Sequence, residues 1–269
     1  MSSKYYDFLS AAVAAAHLGG KILQERFAQR QTLQVDHKAE FDFVTAVDRE
    51  SEAAIVAHLK KHFPRHAILA EEGGASGENQ SEVQWIIDPL DGTANFIHGV
   101  PQFAVSIAAR EQEKIVAAVV FDPMRDELFT VIRSGGAFLN RAPLHVTAST
   151  ELHQCLLGTG FPFRAKELLE PYLGLFKTFF ERVRDLRRLG AASLDLAYVA
   201  AGRFDAFWEY RLNPWDFAAG VLLVQEAGGA VSGFSAEDDY WSSGNILASN
   251  GKMHALLQEI TQAGYALKR

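Results

Sequence analysis

Apolar side chains recur at helical spacing across residues 4–28, at Phe8, Ala12, Ala15, Leu18, Ile22 and Phe27, and predict an amphipathic helix. Residues 45–63 repeat the pattern with Asp48 in the first turn, and Pro64 marks the end because proline cannot continue a helix. The run 67-AILAEE-72 predicts a short buried strand that closes on two glutamates. Apolar or alternating runs at 83–87, 103–109, 115–121, 127–132 and 137–146, separated by Gly, Pro and Asp, predict a strand-rich middle. Within it, 135-GGAFLNRAPLHV-146 predicts a hairpin turning near Asn140 and Arg141. A buried strand is expected at 154-QCLLGTGF-161, and helical patterns return at 165–184 and 193–201. A strand near 204–208 follows, then a helix at 215–227 stopped by Gly228 and Gly229, then a last helix at 251–267. Helices and strands mix without a strict βαβ rhythm, so the expected class is mixed α/β in layers. The boundary is expected near 145–155, giving two intimate halves, 1–147 and 148–269, that share one cleft.

Composition narrows the picture. A chain of 269 residues with 48% hydrophobic and 22% charged residues supports a sizeable core. The net charge of −7 argues against a dedicated nucleic-acid binder, whose affinity rests on neutralising phosphates. One cysteine, Cys155, excludes an internal disulfide and fits a reducing cytoplasm; its apolar neighbours make it a small core residue. The apolar run from Phe8 to Leu18 is too short to span a membrane and has no secretory-leader layout.

The segment 85-WIIDPLDGTANF-96 carries the candidate chemistry. Asp88 and Asp91 lie three residues apart at the carboxyl end of the predicted strand 83–87. Pro89 lacks a backbone donor and is expected to stop further pairing, while Gly92 permits a tight turn. Two carboxylates this close repel one another unless a cation lies between them, and Mg²⁺ takes oxygen ligands of this kind. Asp-Pro and Asp-Gly are also ordinary turn formers, so on this stretch alone a metal site and a plain turn are level. Glu71 ends the preceding strand. Asp216 opens an apolar helix, where capping explains it locally but flanking Trp215 and Phe217 leave its charge in need of compensation. Asp48 is either a cap or a partner that orients the Thr93 hydroxyl. The helix starts at 92-GTANF-96 and 190-GAAS-193 present backbone N–H groups suited to an anion. Each residue taken singly has a stronger structural explanation. Acids at the ends of four separate elements are not what independent turns and caps produce.

The segments 70-AEEGG-74, 85-WIIDPLDGTANF-96 and 214-PWDFAAGVLLVQEAGG-229 resemble the inositol monophosphatases. The likeness runs over nearly the whole chain and is nearest to the bacterial, extragenic-suppressor type, through 121-FDPMRDELFT-130, 157-LGTGFPF-163, 187-RRLGAASLDLAYVAAGRFDAF-207 and the ending 266-ALKR-269. It implies an αβαβα sandwich of the inositol monophosphatase and fructose-1,6-bisphosphatase type, and a homodimer. It implies that Glu71, Asp88 and the Leu90 carbonyl hold one Mg²⁺, that Asp88, Asp91 and Asp216 hold a second, and that Glu71 helps a third through waters. By the same likeness Thr93 and Asp48 activate the attacking water, and backbone at Gly92, Thr93 and Ala94 holds the phosphate. Gly190, Ala192, Glu209 and Asp216 would face the substrate. Many relatives carry a second Thr at the Ala94 position, which is expected to act through its backbone N–H. The metal supplies what a histidine base otherwise would, and His98 is read as a loop residue.

The implied substrate is myo-inositol 1-phosphate, with lithium inhibition expected from the family alone. Fructose 1,6-bisphosphate, 3′-phosphoadenosine 5′-phosphate and histidinol phosphate are substrates of related phosphatases, and a fructose-1,6-bisphosphatase or other sugar phosphatase is the enzymatic alternative. The nucleotide and histidinol branches often place Lys or Arg where this chain has Ala94. A different class of reading also comes from the likeness: bacterial members associate with RNA polymerase and antitermination factors. The basic cluster 182-RVRDLRR-188 is the candidate surface, although a solvated helix end or a dimer contact is the favoured reading of it.

Overall fold

Two long helices open the chain in the computed structural model, which describes residues 3–29, 35–39, 42–77 and 81–266. α1 (Ser3–Ala28) buries Phe8, Ala11, Ala12, Ala15, Ala16, Gly19, Gly20, Leu23 and Phe27. Leu18, expected on that face, is exposed instead. The small residues make a flat surface, and a Cβ on Gly19 would stand 2.8 Å from Ser51 Oγ of the neighbouring helix. A ribbon of β1 (Val35–Ala39) and β2 (Asp42–Thr45) leads into that helix, α2 (Ala46–His62).

The first sheet follows: β3 (Ala67–Ala70), β4 (Gly74–Ser76) and β5 (Val83–Asp91), the short α3 (Thr93–His98), then β6 (Ala104–Glu111), β7 (Lys114–Asp122), β8 (Glu127–Ile132), β9 (Gly136–Leu139) and β10 (Ala142–Pro143). Its order is β10-β9-β8-β7-β6-β5-β3-β4, eight strands with only β3 and β5 parallel. The β9–β10 hairpin turns at Asn140 and Arg141 as expected. Both have positive φ, 46° and 74°, as a two-residue turn matched to strand twist requires.

One expectation is corrected here. Pro89 does not end β5: the strand continues to Asp91, pairing Asp88 with Ser106 and Asp91 with Ala104, and the register shifts between them. The missing proline donor falls inside a bulge, where the ladder needs no bond.

The second half holds β11 (Leu156–Thr159), α4 (Leu169–Phe180), β12 (Asp185–Arg187), α5 (Ala192–Ala200), β13 (Ala206–Glu209), α6 (Pro214–Glu226), β14 (Ala230–Ser232), α7 (Tyr240–Ser243), β15 (Ile246–Ser249) and α8 (His254–Ala266). The second sheet runs β12-β11-β13-β15-β14. The helix expected over 165–184 is shorter, because a 3₁₀ turn at Lys166–Leu168 precedes it and β12 begins at Asp185. The last helix starts at His254 rather than 251, after a turn at Gly251, whose φ is 78°. Residue 267 of that expected helix and residues 267–269 of the 266–269 motif lie outside the described residues.

α1 and α2 cover one face of the first sheet, α5 and α6 fill the space between the sheets, and α4 and α8 cover the far face of the second. The result is the αβαβα layering. All nine residues of α5 are buried, as are Asp216 to Val224 of α6. This explains why both sequences are apolar all round rather than striped. Cys155 is a buried core residue against Met253. Among the described residues no helix is long and apolar enough to cross a membrane.

Candidate active site

The bulge in β5 aims Asp88 and Asp91 at the strand's carboxyl end, and neighbouring elements hold it there. Ser51 Oγ of α2 donates to the Pro89 carbonyl at 3.0 Å, and Leu90 N–H donates to Asp88 Oδ1 at 3.0 Å. Glu52, one residue along α2, accepts from Glu72 N–H and Gly73 N–H, each at 2.8 Å. That clamp fixes the loop after β3, where Glu71 N–H donates to the Ile87 carbonyl. Gly92 has φ of 96°, and a Cβ on it would stand 2.9 Å from the Gln102 carbonyl. Only glycine turns the chain from β5 into α3 without a clash.

Thr93 Oγ1 lies 3.2 Å from Asp48 Oδ1 and 3.1 Å from the Leu90 carbonyl, so its one proton serves either acceptor. The Asn95 amide donates across to the Leu189 and Gln102 carbonyls at 2.8 Å, tying α3 to the segment before α5. The start of α5 is already engaged: Ser193 donates to Asp91 Oδ2 from its N–H at 2.7 Å and from its hydroxyl. This differs from the expectation of an anion site there, since a carboxylate of the chain itself takes the N–H. Asp216 accepts from Asn213 N–H at 2.7 Å, so it caps α6 as well as facing the cleft.

Glu71, Asp88, Leu90, Asp91, Gly92, Thr93, Ala94, Gly190, Ala192, Glu209 and Asp216 all line one cleft of about 270 Å³. Asp48 stands behind Thr93, buried in the first turn of α2. His98 is not among the lining residues. Gly160, Phe163, Arg164, Arg188 and Leu212 also line the cleft and were missed in the sequence. Arg188 corrects the reading of 182–188: α4 ends at Phe180, and Arg188 follows β12 into the cleft rather than closing a solvated helix. Its position two residues before Gly190, itself a candidate, was the available signal. Gly160 leaves room for Glu209, since a Cβ there would stand 2.0 Å from its carboxylate.

The electrostatics are strained toward the neutral acid. Burial pushes Asp88 well above the usual carboxylate range, and the charges of Glu71, Asp91 and Asp216 push it further. Asp91 is also raised by burial, against the pull of Ser193. Asp216 rises to about 7 through burial and the charge of Asp91. Glu209 rises to about 8 through burial and then Asp216. Asp195, buried on α5, is raised well above its ordinary value by burial and by Glu209. Five acids line the cleft, Glu71, Asp88, Asp91, Glu209 and Asp216, against two arginines, Arg164 and Arg188.

Buried acids in excess over cations are a donor set suited to a hard divalent cation, which restores the charged forms. The acids line the cleft without closing around a point. Among the described residues no three such side chains make a preformed metal cage. An open set of this kind suits Mg²⁺, which keeps several waters and completes its shell with phosphate oxygens.

The model of the inositol monophosphatase family matches residues 5–265. A relative from Pseudomonas aeruginosa named Nus factor SuhB is 50% identical over 258 residues, covering 94% of this chain and 95% of its own. The crystal structure of extragenic suppressor protein suhB from Bartonella henselae superposes with a TM-score of 0.91 at 41% identity, over 95% of this chain and 98% of that one. Inositol monophosphatase from Anabaena gives 0.88 at 38% identity, over 97% of each chain. The shared architecture is a phosphatase fold, and the chain belongs to the inositol monophosphatase family.

Proposed function

We propose that this cleft hydrolyses phosphate monoesters, myo-inositol 1-phosphate first among them, with Mg²⁺ as cofactor. The observation that carries the reading is the meeting in one cleft of Glu71 after β3, Asp88 and Asp91 of β5 and Asp216 of α6, beside Thr93, whose hydroxyl is backed by Asp48. Glu71, Asp88, the Leu90 carbonyl, Asp91 and Asp216 would hold two ions, with Glu71 helping a third through waters. When bound, Mg²⁺ acidifies water and draws charge from the phosphoryl oxygens. Unaided hydrolysis of such esters is so slow that enzymes reach about 10²¹-fold acceleration.

The chain's own groups do the rest. Asp48 accepts the Thr93 proton, which leaves the Thr93 oxygen free to accept one from the attacking water. The water oxygen bonds to phosphorus and the ester P–O bond breaks with its electron pair going to the departing oxygen; the proton the water gave up returns through solvent to that oxygen, so the products are the alcohol and phosphate. Backbone N–H groups at Gly92, Thr93 and Ala94 orient the phosphate. Gly190, Ala192 and Glu209 face the leaving polyol. Residues 1–147 and 148–269 act as two halves of one domain. We take from the family a homodimer working in the cytoplasm.

The test is phosphate release from inositol 1-phosphate, fructose 1,6-bisphosphate, 3′-phosphoadenosine 5′-phosphate and histidinol phosphate, with and without Mg²⁺. Mg²⁺-dependent preference for the first, lost at least 10³-fold in Asp88→Asn, is the expected result (about 4 kcal/mol of transition-state stabilisation). Preference for another ester moves the substrate and keeps the mechanism. Full activity in folded Asp88→Asn sinks the role given to that carboxylate.

The Pseudomonas relative's name supports a second reading, in which the chain serves as a Nus factor alongside RNA polymerase. Co-purification with RNA polymerase that survives Asp88→Asn would separate this role from catalysis.

A further inference from the structure

Arg164, like Arg188, carries a charge opposed to the ion the acids call for, and it also reaches one of those acids. Its Nη2 lies 3.7 Å from Glu71 Oε1. Arg164 lines the same cleft as Asp88, Asp91, Glu209 and Asp216. The guanidinium is permanently charged in proteins.

The loop between β11 and α4 presents it. Phe163 N–H donates to the Phe161 carbonyl and Ala165 N–H to the Pro162 carbonyl, which folds the loop into successive tight turns. Phe161 meets the buried Tyr172 ring edge-on at 5.6 Å, and the Arg164 guanidinium lies 5.1 Å from the Phe163 ring. The arginine thus reaches Glu71 from a braced segment. A monovalent guanidinium and a divalent cation that both need Glu71 repel each other and compete for the same oxygens.

We propose that Arg164 is an internal counter-ion of the acid cluster, holding Glu71 while the cleft lacks a divalent cation and yielding it when one binds. This rests on the reading of the cleft as a metal-dependent site. Arg164 is then a positioning residue. It makes the cluster of acids tolerable to the metal-free fold, and it sets the affinity for the metal below what those acids alone would give.

The experiment is calorimetric titration of Mg²⁺ into metal-free protein, with melting curves taken with and without Mg²⁺, for the wild type, Arg164→Gln and Arg164→Lys. Arg164→Gln should bind Mg²⁺ about tenfold more tightly, the change that ~1.4 kcal/mol of relieved repulsion produces. Its metal-free melting point should fall, and saturating Mg²⁺ should close the gap. Arg164→Lys keeps the charge and should stay near the wild type. Equal or weaker Mg²⁺ binding by Arg164→Gln, or a melting deficit that Mg²⁺ leaves untouched, overturns the proposal and leaves the phosphatase reading standing. A wild type that binds no Mg²⁺ overturns both.

Discussion

Gly160 lacks a side chain where Glu209 needs room. A methyl group there would stand 2.0 Å from the buried Glu209 carboxylate, which must then shift. Gly160→Ala is therefore expected to move Glu209 off the cleft wall and raise KM for inositol 1-phosphate about tenfold, a loss of ~1.4 kcal/mol. A KM matching the wild type, in protein with an unchanged circular dichroism spectrum, would show that Glu209 does not set substrate affinity. At this scale the sequence was most legible for acids. A carboxylate beside an apolar run needs compensation wherever the chain puts it, so Asp88, Asp91 and Asp216 drew attention together although each had a local explanation. Glycines that make room for a distant side chain carry no such local mark.

At the scale of elements, α2 works on the cleft from behind. Ser51 and Glu52 reach the β5 bulge and the loop of Glu71. Glu52→Ala removes the acceptor for two N–H groups and is expected to cost about 1–3 kcal/mol of stability. It should also weaken Mg²⁺ binding, because Glu71 loses its anchored loop. Urea melts and Mg²⁺ titration check both effects. Glu52 carries no mark in the sequence, since nothing there says which face of α2 meets β5. The same limit applies to β5 itself. Pro89 suggested an end because the sequence records a lost donor, whereas only the neighbouring β6 decides whether a bond was needed there.

The whole molecule is organised around the middle layer. A Cβ on Gly220 of α6 would stand 2.4 Å from Leu196 Cβ of α5. Gly220→Ala should push the two helices apart between both sheets and cost about 1–3 kcal/mol, read as a lowered urea midpoint. The cleft also ties stability to pH. The folded state raises Glu209 from its ordinary 4.5 to about 8, so it binds the proton more tightly than the unfolded chain does. Stability from this group is therefore complete below its unfolded pKa and is lost as pH rises toward 8. Metal-free Glu209→Gln should gain in melting temperature relative to the wild type between pH 5 and pH 8.5. A constant difference across that range would contradict the burial argument.

The sequence by itself determined the family and most of the elements. Carboxylates beside Pro and Gly at element ends, and helical or alternating apolar spacing, are local patterns that local physics reads. The tertiary structure decided what depends on partners far along the chain. It gave Asp91 to the start of α5, brought Arg164 and Arg188 into a cleft of acids, and made α5 and α6 the buried middle of five layers. The short strands β12, β14 and β15 escaped notice for the same reason. A run of three or four residues becomes a strand when a neighbour supplies its hydrogen bonds, and the sequence does not name the neighbour.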